Sequence, residues 1–266
     1  MGEVIVVTSG KGGVGKTTCS ANIGTGLALS GKTVALVDAD IGLRNLDVVM
    51  GLENRIVYDL VDVVEGNCRL KQALIRDKRY ENLCLLAAAQ TKDKDSVNPE
   101  QMQKLCLLLK QEFDYVIMDC PAGIEQGFRN AIAGADRAIV VTTPEVSPVR
   151  DADRIIGLLM SNGIDNIKLV LNRLRNDMAK RGDMLTIEDV REILAINILG
   201  VVPDDEIIVI STNKGEPAVA NQHSNAGLAF NNIVKRILGE DLPLHNFDDT
   251  DNFISKIKKF FKIKIK

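Results

Sequence analysis

A glycine-rich segment near the N-terminus, Gly10 to Thr18, contains the first residues whose types and spacing indicate chemistry. Its G-x-x-x-x-G-K-T pattern follows a β-branched run at 4–7 and precedes a helical pattern at 19–29. This order of strand, loop and helix is the context that a phosphate-binding loop requires. Glycines let backbone N–H groups turn toward oxyanions, and the helix N-terminus adds unpaired donors. We therefore expect this segment to hold phosphate groups.

Two side chains of this loop have expected roles of their own. Lys16 is expected to reach the β- and γ-phosphates of a nucleotide, and the Thr17 hydroxyl to ligate Mg²⁺. The alternative is a tight strand-to-helix turn with a solvated lysine. The candidate nucleotide-binding residues of the loop are Gly10, Lys11, Gly12, Gly13, Val14, Gly15, Lys16, Thr17 and Thr18.

Aspartates follow directly after two further apolar runs. Asp38 and Asp40 follow the run at 32–37, and Asp119 closes the run at 115–118. Because ligands bind at the carboxyl ends of the strands in open parallel sheets, these aspartates should gather near the phosphate-binding loop. Asp119 has the form of a Walker B aspartate, which holds Mg²⁺ directly or through water. The alternative for Asp119 is an N-cap or turn residue.

These side chains need a scaffold that brings strand ends together, and apolar runs do alternate with helical patterns along the chain. The alternation predicts an α/β fold of the P-loop NTPase type, with a mostly parallel twisted sheet covered by helices on both faces. Strands are predicted at 4–7, 32–37, 82–86, 115–118, 138–142, 168–171 and 198–202. Helices are predicted at 19–29, 99–111, 150–161, 186–194 and 226–238.

Length and composition indicate one large domain. The chain has 266 residues, of which 45% are hydrophobic and 26% charged, as in ordinary globular proteins. We predict a P-loop domain at 1–240, a linker at 241–251 and an amphipathic helix at 252–266. No run of eighteen apolar residues occurs and the first strand begins at once, so we expect neither a membrane-spanning helix nor a signal peptide.

Cysteine usage indicates the compartment. The five cysteines are scattered and form no C-x-x-C pair. They are typical of reduced thiols in a cytoplasmic protein, and they disfavour an iron–sulfur or other cysteine-bound metal site.

The last residues combine apolar and basic side chains at helical spacing. The net charge of the chain is −3, yet six lysines lie in its last eleven residues, so the remainder carries about −9, which argues against a broad nucleic-acid-binding face. Five apolar side chains fall within an arc of roughly 120° on a helical wheel, with most of these lysines outside it. They are Phe253, Ile254, Ile257, Phe260 and Phe261. The pattern predicts a helix lying in an anionic membrane surface. The alternatives are a helix docked on the chain's own core and a basic nucleic-acid arm.

The glycine-rich loop also has a second lysine, Lys11, directly after its first glycine. The segment at 10–18 resembles the deviant Walker A loop of the MinD/ParA family of ATPases, and the segments at 38–47 and 119–125 resemble the MinD branch of that family. The resemblance implies that Lys11 reaches across a nucleotide-sandwich dimer to the partner's phosphates. The residues alone also allow Lys11 to pair with the phosphates of its own subunit.

The same resemblance implies roles for the strand-end residues. Asp40 matches the switch I aspartate that positions the attacking water, while Asp38 is a rival for that role or for Mg²⁺, and spacing does not separate the two. The segment at 120–125 matches switch II, where a backbone N–H could sense the γ-phosphate. The candidate catalytic residues are Lys11, Lys16, Asp38 and Asp40, and the candidate magnesium ligands are Thr17, Asp40 and Asp119.

Base recognition is expected from two other strand ends. Asn172 and Arg173 resemble the adenine-contacting position of the family, and the loop that contains Pro203 and Asp205 resembles its second base-side loop. Both could instead be ordinary strand-end turns. The guanine-reading N-K-x-D pattern is absent, and the similar segment at 213–216 does not follow an apolar strand. We therefore expect ATP rather than GTP, together with Mg²⁺.

The resemblance finally implies a biological role and partners. The MinD branch consists of membrane-associated ATPases of cell-division site selection, which dimerise with ATP and bind the inner face of the membrane. Their partners MinC and MinE meet the surface around Arg44, Asn45 and the helix at 150–161; a solvated loop and an ordinary amphipathic helix are the alternative. Other functions to be weighed are a ParA-type DNA-partition ATPase, a MinD-like flagellar-placement ATPase and a nucleotide-gated scaffold with negligible turnover. We expect no nucleic-acid partner.

Overall fold

The computed structural model describes residues 1–244. The predicted amphipathic helix at 252–266, and the predicted linker from residue 245 onward, lie outside the described residues. The boundaries predicted for these segments therefore stay predictions.

A single sheet of eight strands organises the described part of the chain, in the order β3-β4-β2-β5-β1-β6-β7-β8. Neighbouring strands are parallel, except that β3 runs antiparallel to β4. The predicted α/β fold with a mostly parallel sheet is confirmed. The strands are β1 (Glu3–Thr8), β2 (Val34–Asp38), β3 (Ile75–Arg76), β4 (Leu83–Leu86), β5 (Tyr115–Asp119), β6 (Arg137–Thr142), β7 (Ile167–Leu174) and β8 (Asn197–Pro203).

Helices connect the strands. They are α1 (Lys16–Leu29), α2 (Leu46–Val49), α3 (Leu60–Val64), α4 (Leu70–Ala73), α5 (Pro99–Glu112), α6 (Gln126–Ile132), α7 (Val146–Ser161), α8 (Asn176–Arg181), α9 (Ile187–Leu194), α10 (Ile207–Asn213) and α11 (Asn225–Ile237). The crossover from β1 to β2 moves toward one sheet edge, and that from β6 to β7 moves toward the other. Because parallel crossovers are right-handed, α1 and α7 cover opposite faces of the sheet.

The central strands are apolar along their whole length because both of their faces are covered. In β1 every residue from Val4 to Thr8 is buried, and in β2 every residue is buried. Strands buried on both faces have continuous hydrophobic runs rather than alternating ones. Polar residues such as Asp38 and Asp119 therefore lie together at the carboxyl ends of the strands.

Helix starts follow local sequence signals. Asn98 accepts a hydrogen bond from the N–H of Gln101 and begins α5, with Pro99 in the first turn. Helix α7 begins at Val146, earlier than the predicted residue 150, although Pro148 lies inside it. The first turn of a helix tolerates proline because its N–H groups have no intrahelical partners.

Arg79 joins three separate segments at the β3 side of the sheet. Its guanidinium donates to both carboxylate oxygens of Asp77, which is buried, at 3.0 and 2.7 Å. It also donates to the carbonyl oxygens of Gly215 at 2.6 Å and Met50 at 2.5 Å. The side chain thus satisfies acceptors that lie far apart in the sequence.

Replacing Arg79 by alanine is expected to lower the free energy of unfolding by about 3 kcal/mol, because the buried Asp77 carboxylate loses its charged partner and keeps only the backbone N–H of residue 79. Urea denaturation of the nucleotide-free protein measures this loss. Arg55→Ala is the matched control, since Arg55 is exposed and donates to a single carbonyl, that of Arg76 at 2.7 Å. That control should change stability by less than about 1 kcal/mol. Equal losses in both variants would contradict the role of Arg79.

Candidate functional site

The phosphate-binding loop connects β1 to α1 and occupies residues 9–15. Gly15 is the N-cap of α1, with φ of 98°, and carries no side chain that could take up the first N–H groups of the helix. These N–H groups have no intrahelical partners, so they form a ready site for an oxyanion. No acidic residue lies in the first turn of α1 to compete for them.

Close packing explains two of the loop glycines. A Cβ on Gly10 would collide with the backbone carbonyl of Asp151 in α7, and one on Gly15 would collide with the side-chain amide of Asn172. The loop therefore packs against α7 at Gly10 and against β7 at Gly15. It touches the helix that the sequence predicts as the partner surface.

The two lysines of the loop differ in exposure. Lys16 is the first residue of α1 and is only 9% exposed, so its stem is packed in the domain. Lys11 lies on the outer part of the loop, and its neighbours Gly12 and Gly13 are exposed like Lys11 itself. One lysine is built into its own site, whereas the other is presented to the surroundings.

Two aspartates meet beneath the loop. Asp38 at the end of β2 is in register with Asp119 at the end of β5, and both are buried, with 1% and 3% of their surface exposed. The Ser20 hydroxyl donates to Asp119 Oδ1 at 2.8 Å, and the Thr17 hydroxyl lies near enough to lower the pKa of that carboxyl. A hydroxyl and a carboxylate are oxygen ligands of the kind that Mg²⁺ prefers, so Thr17 and Asp119 fit the ion.

Burial determines the protonation of these carboxyls. Desolvation, followed by the charge of Asp38, raises the pKa of Asp119 above its usual range. Desolvation also raises the pKa of Asp38, although backbone N–H groups that donate to it oppose the shift. A cation near the two carboxyls would favour their ionised forms and so allow both to be charged in this buried site.

The raised pKa of Asp119 predicts a pH-dependent cost to the nucleotide-free protein. The pKa of Asp119 is higher in the folded state than in the unfolded state, so protonation of this carboxyl stabilises the fold at low pH. That stabilisation is lost as the pH rises. Without Mg²⁺ and nucleotide, Asp119→Asn should therefore gain stability relative to wild type between pH 5 and pH 7.5, by about 1 kcal/mol or more. Urea denaturation at the two pH values measures the gain. A pH-independent difference would contradict the shift.

Asp38 and Asp40, which spacing does not separate, have different surroundings. Asp38 Oδ1 accepts from the N–H of Asp40 at 3.0 Å, and its Oδ2 accepts from the N–H groups of Asn45 and Leu46, both at 3.1 Å. Both oxygens of Asp38 thus hold the loop that leads into α2. Asp40 lies on that loop and is partly exposed.

The predicted base-side residues fall into two groups. Asn172 does not follow a strand as predicted but lies inside β7, which continues to Leu174 past an irregular register, and its amide donates to the carbonyl of Val14 at 2.8 Å. Arg173 is exposed, with φ of 57°. Asn172 therefore braces the phosphate-binding loop, and contacts of either residue with a base stay a prediction.

The second base-side loop is also fastened to the fold. Asp205 accepts from the N–H of Ile207 and from that of Ala226, both at 3.0 Å, so it joins the starts of α10 and α11. Pro203 ends β8, in register with Leu174 of β7. These contacts place the loop near Asn172, at the carboxyl ends of β7 and β8.

The predicted partner surface is only partly exposed. Asn45 is exposed, but the Arg44 side chain is 13% exposed and its Nε lies 2.8 Å from the buried Asp47 carboxylate. On α7, Val146 and Met160 are exposed apolar side chains. The sequence offered no sign that Arg44 is paired.

Comparison with known proteins identifies the family. A model of the CobQ/CobB/MinD/ParA nucleotide binding domain matches residues 5–218. The septum site-determining protein MinD of Bacillus subtilis (strain 168) is 58% identical over 267 aligned positions, which cover 99% of this chain and 100% of that protein. The chain belongs to the MinD family. The sequence-based recognition of this branch is confirmed.

Solved structures agree with the MinD assignment. The MinC:MinD cell division protein complex of Aquifex aeolicus contains a chain with a TM-score of 0.86 and 49% identity, covering 92% of this chain and 99% of that one. The septum site-determining protein MinD complexed with Mg-ADP from Pyrococcus horikoshii OT3 has a TM-score of 0.81 and 30% identity, covering 89% of this chain and 96% of that one. As a member of the MinD family, the chain is a P-loop ATPase.

Two features of residues 1–244 concern membranes and metals. Within that part of the chain no helix is long and apolar enough to cross a bilayer. In the same residues no group of three or more His, Cys, Asp or Glu side chains forms a self-contained metal site. Mg²⁺ is commonly held by one or two protein carboxylates together with phosphate oxygens, which suits a site built beside a phosphate-binding loop.

Proposed function

We propose that this MinD-family chain is a Mg²⁺-dependent ATPase that dimerises with ATP, binds an anionic membrane as a dimer and takes part in placing the division septum. The single observation that carries the proposal is the contrast between the two lysines of the loop: Lys16 is packed at the start of α1, whereas Lys11 is exposed. One is suited to the subunit's own phosphates, and the other to those of a second subunit.

The chain's own residues divide the work of phosphoryl transfer. Lys16 and the N–H groups at the start of α1 bind the phosphates. Thr17 and Asp119 hold Mg²⁺, which when bound neutralises developing charge on the phosphates. Asp38 accepts from backbone N–H groups and so fixes the loop that carries Asp40, and Asp40, at the position of the switch I aspartate, orients the attacking water.

The loop contacts give a route from nucleotide to partner proteins. Gly10 packs directly against Asp151 of α7, so a shift of the loop on nucleotide binding would displace that helix. We propose that the α7 surface, together with Asn45 and Arg44, binds MinC-like and MinE-like proteins, and that a MinE-like protein stimulates hydrolysis. The structural relative solved as a MinC:MinD complex supports the first of these partners.

Membrane binding is proposed for the C-terminal residues at 252–266. One short amphipathic helix binds a membrane only marginally. Two such helices on an ATP-bound dimer act together, because attachment of the first raises the effective concentration of the second. Hydrolysis then separates the subunits, and each single helix releases the membrane.

Sedimentation separates this function from DNA partition. The full chain is incubated with ATP or ADP and either anionic vesicles, neutral vesicles or plasmid DNA. We expect the chain to pellet with anionic vesicles in ATP, in an amount at least about tenfold greater than in ADP, because the two C-terminal segments of a dimer bind with avidity. A chain that pelleted only with DNA would instead be a partition ATPase. Phosphate release in the presence of vesicles tests turnover in the same samples.

A further inference from the structure

Ser20 is a hydroxyl side chain buried beside the predicted magnesium site. It lies in α1, four residues after Lys16 and hence on the same face of the helix, and none of its surface is exposed. Its Oγ is 2.8 Å from Asp119 Oδ1 and 3.1 Å from the carbonyl oxygen of Lys16. Ser20 lies two residues beyond the loop motif, which ends at Thr18.

The single hydroxyl proton of Ser20 has two acceptors, and they are not equal. The carbonyl of Lys16 already accepts the backbone N–H of Ser20 within the helix, as in any α-helical turn. A carboxylate accepts a shorter and stronger, charge-assisted hydrogen bond than a carbonyl does. The shorter distance to Asp119 agrees with that preference, so we assign the proton to the bond with Asp119.

This bond fixes which carboxylate oxygen is available to a metal. With Oδ1 of Asp119 bound to Ser20, Oδ2 is the oxygen that has no bond to Ser20 and can serve a metal. Ser20 itself faces the helix backbone and Asp119, so it can act on a metal only through Asp119. Groups that orient metal ligands in this way change metal affinity without touching the metal.

We propose that Ser20 is the positioning residue of the magnesium site, holding the Asp119 carboxylate in the orientation that binds Mg²⁺. The inference rests on the proposed Mg²⁺-dependent ATPase function and deepens it, because it adds a residue outside the phosphate-binding loop on which the metal depends.

The test is the Mg²⁺ dependence of nucleotide binding, which needs no turnover. A fluorescent ADP analogue is titrated into the full chain at increasing Mg²⁺, and separately in EDTA. For Ser20→Ala we expect the Mg²⁺ concentration at half-maximal effect to rise about tenfold or more, as for other residues that orient metal ligands. Affinity for the analogue in EDTA should stay within about twofold of wild type, since the phosphate donors are intact.

Two further variants make the result specific. Ser20→Thr keeps the hydroxyl and should restore most of the Mg²⁺ response. Ser30→Ala is the matched control, because Ser30, the C-cap of α1, likewise donates to a carbonyl four residues back, that of Gly26 at 2.9 Å, but lies at the opposite end of α1 from Lys16 and the phosphate-binding loop. That variant should behave as wild type.

The outcomes separate the inference from the proposed function. If wild type responds to Mg²⁺ and Ser20→Ala responds equally, the positioning role is wrong while the magnesium site stands. If Ser20→Ala loses affinity in EDTA by the same factor as with Mg²⁺, Ser20 only packs the helix and the inference is again wrong. A wild-type chain that binds nucleotide with no response to Mg²⁺ overturns the proposed metal chemistry and this inference together.

Discussion

A Lys11→Ala protein is expected to bind ATP nearly as well as wild type and to lose ATP-dependent dimerisation by about a hundredfold or more. Lys11 is exposed, and an exposed lysine beside an anion contributes little in water. Lys16, packed at the start of α1, and the helix N–H groups remain to hold the phosphates. Affinity for ATP in the monomer should therefore fall by no more than a few-fold.

The dimer is affected far more because each interface would contain two copies of the missing charge. Removing one partner of a desolvated charge pair costs about 2–5 kcal/mol, and each 1.4 kcal/mol is about tenfold in affinity. Stimulated hydrolysis on vesicles should fall with the dimer. Spontaneous release of bound nucleotide from the monomer should be nearly unchanged.

Sedimentation equilibrium with ATP measures dimerisation, and a fluorescent ATP analogue measures binding by the monomer. Lys104→Ala is the control, since Lys104 is an exposed lysine of α5, outside the phosphate-binding loop. If the Lys11 variant dimerises like wild type but binds ATP poorly, Lys11 serves its own subunit, which is the alternative that the residues alone allow. If both properties persist, the two-lysine proposal is wrong.

The fold could be predicted from the sequence where the chain signals itself locally. A strand covered on both faces has to be apolar throughout, so runs such as Val4–Val7 are recognisable without any neighbour. Strand β3, of only two residues, and the short helix α2 have no such run. They depend on distant partners, such as the bonds from Arg79 to Met50 and Gly215, which no local pattern reveals.

The site divides in the same way. The loop at 10–18 and the strand-end aspartates are recognisable because motif and strand position coincide. Spacing does not separate Asp38 from Asp40, since only the fold brings backbone N–H groups to Asp38. Asn172, which lies where the pairing of β7 with β8 is irregular, braces Val14 from 158 positions away in the chain, and no local pattern reveals this contact. The helical period alone could have found Ser20, one turn after Lys16.

The other large effect is expected for a double variant of the C-terminal segment, Phe260→Ser with Phe261→Ser. It keeps every lysine of the segment, so attraction to anionic lipid is retained, but it removes two of the five apolar side chains. Burying one such side chain contributes about 1.5–3 kcal/mol, so the pair should lower the affinity for anionic vesicles by about a hundredfold or more. The loss should be larger for the ATP-bound dimer than for the ADP-bound chain, because in the dimer both tails are weakened at once.

Vesicle sedimentation measures this affinity, and dimerisation in solution is followed in parallel. Leu107→Ser with Leu108→Ser is the matched control, because these adjacent leucines of α5 are exposed apolar side chains of the folded domain. The control should bind vesicles as wild type does. The phenylalanine variant should still dimerise with ATP, since the segment is predicted to lie outside the P-loop domain. Undiminished vesicle binding by that variant would show that the lysines alone, or another surface, hold the lipid. If the variant lost both vesicle binding and dimerisation, the C-terminal segment would support the ATPase domain and would not be a separate membrane anchor.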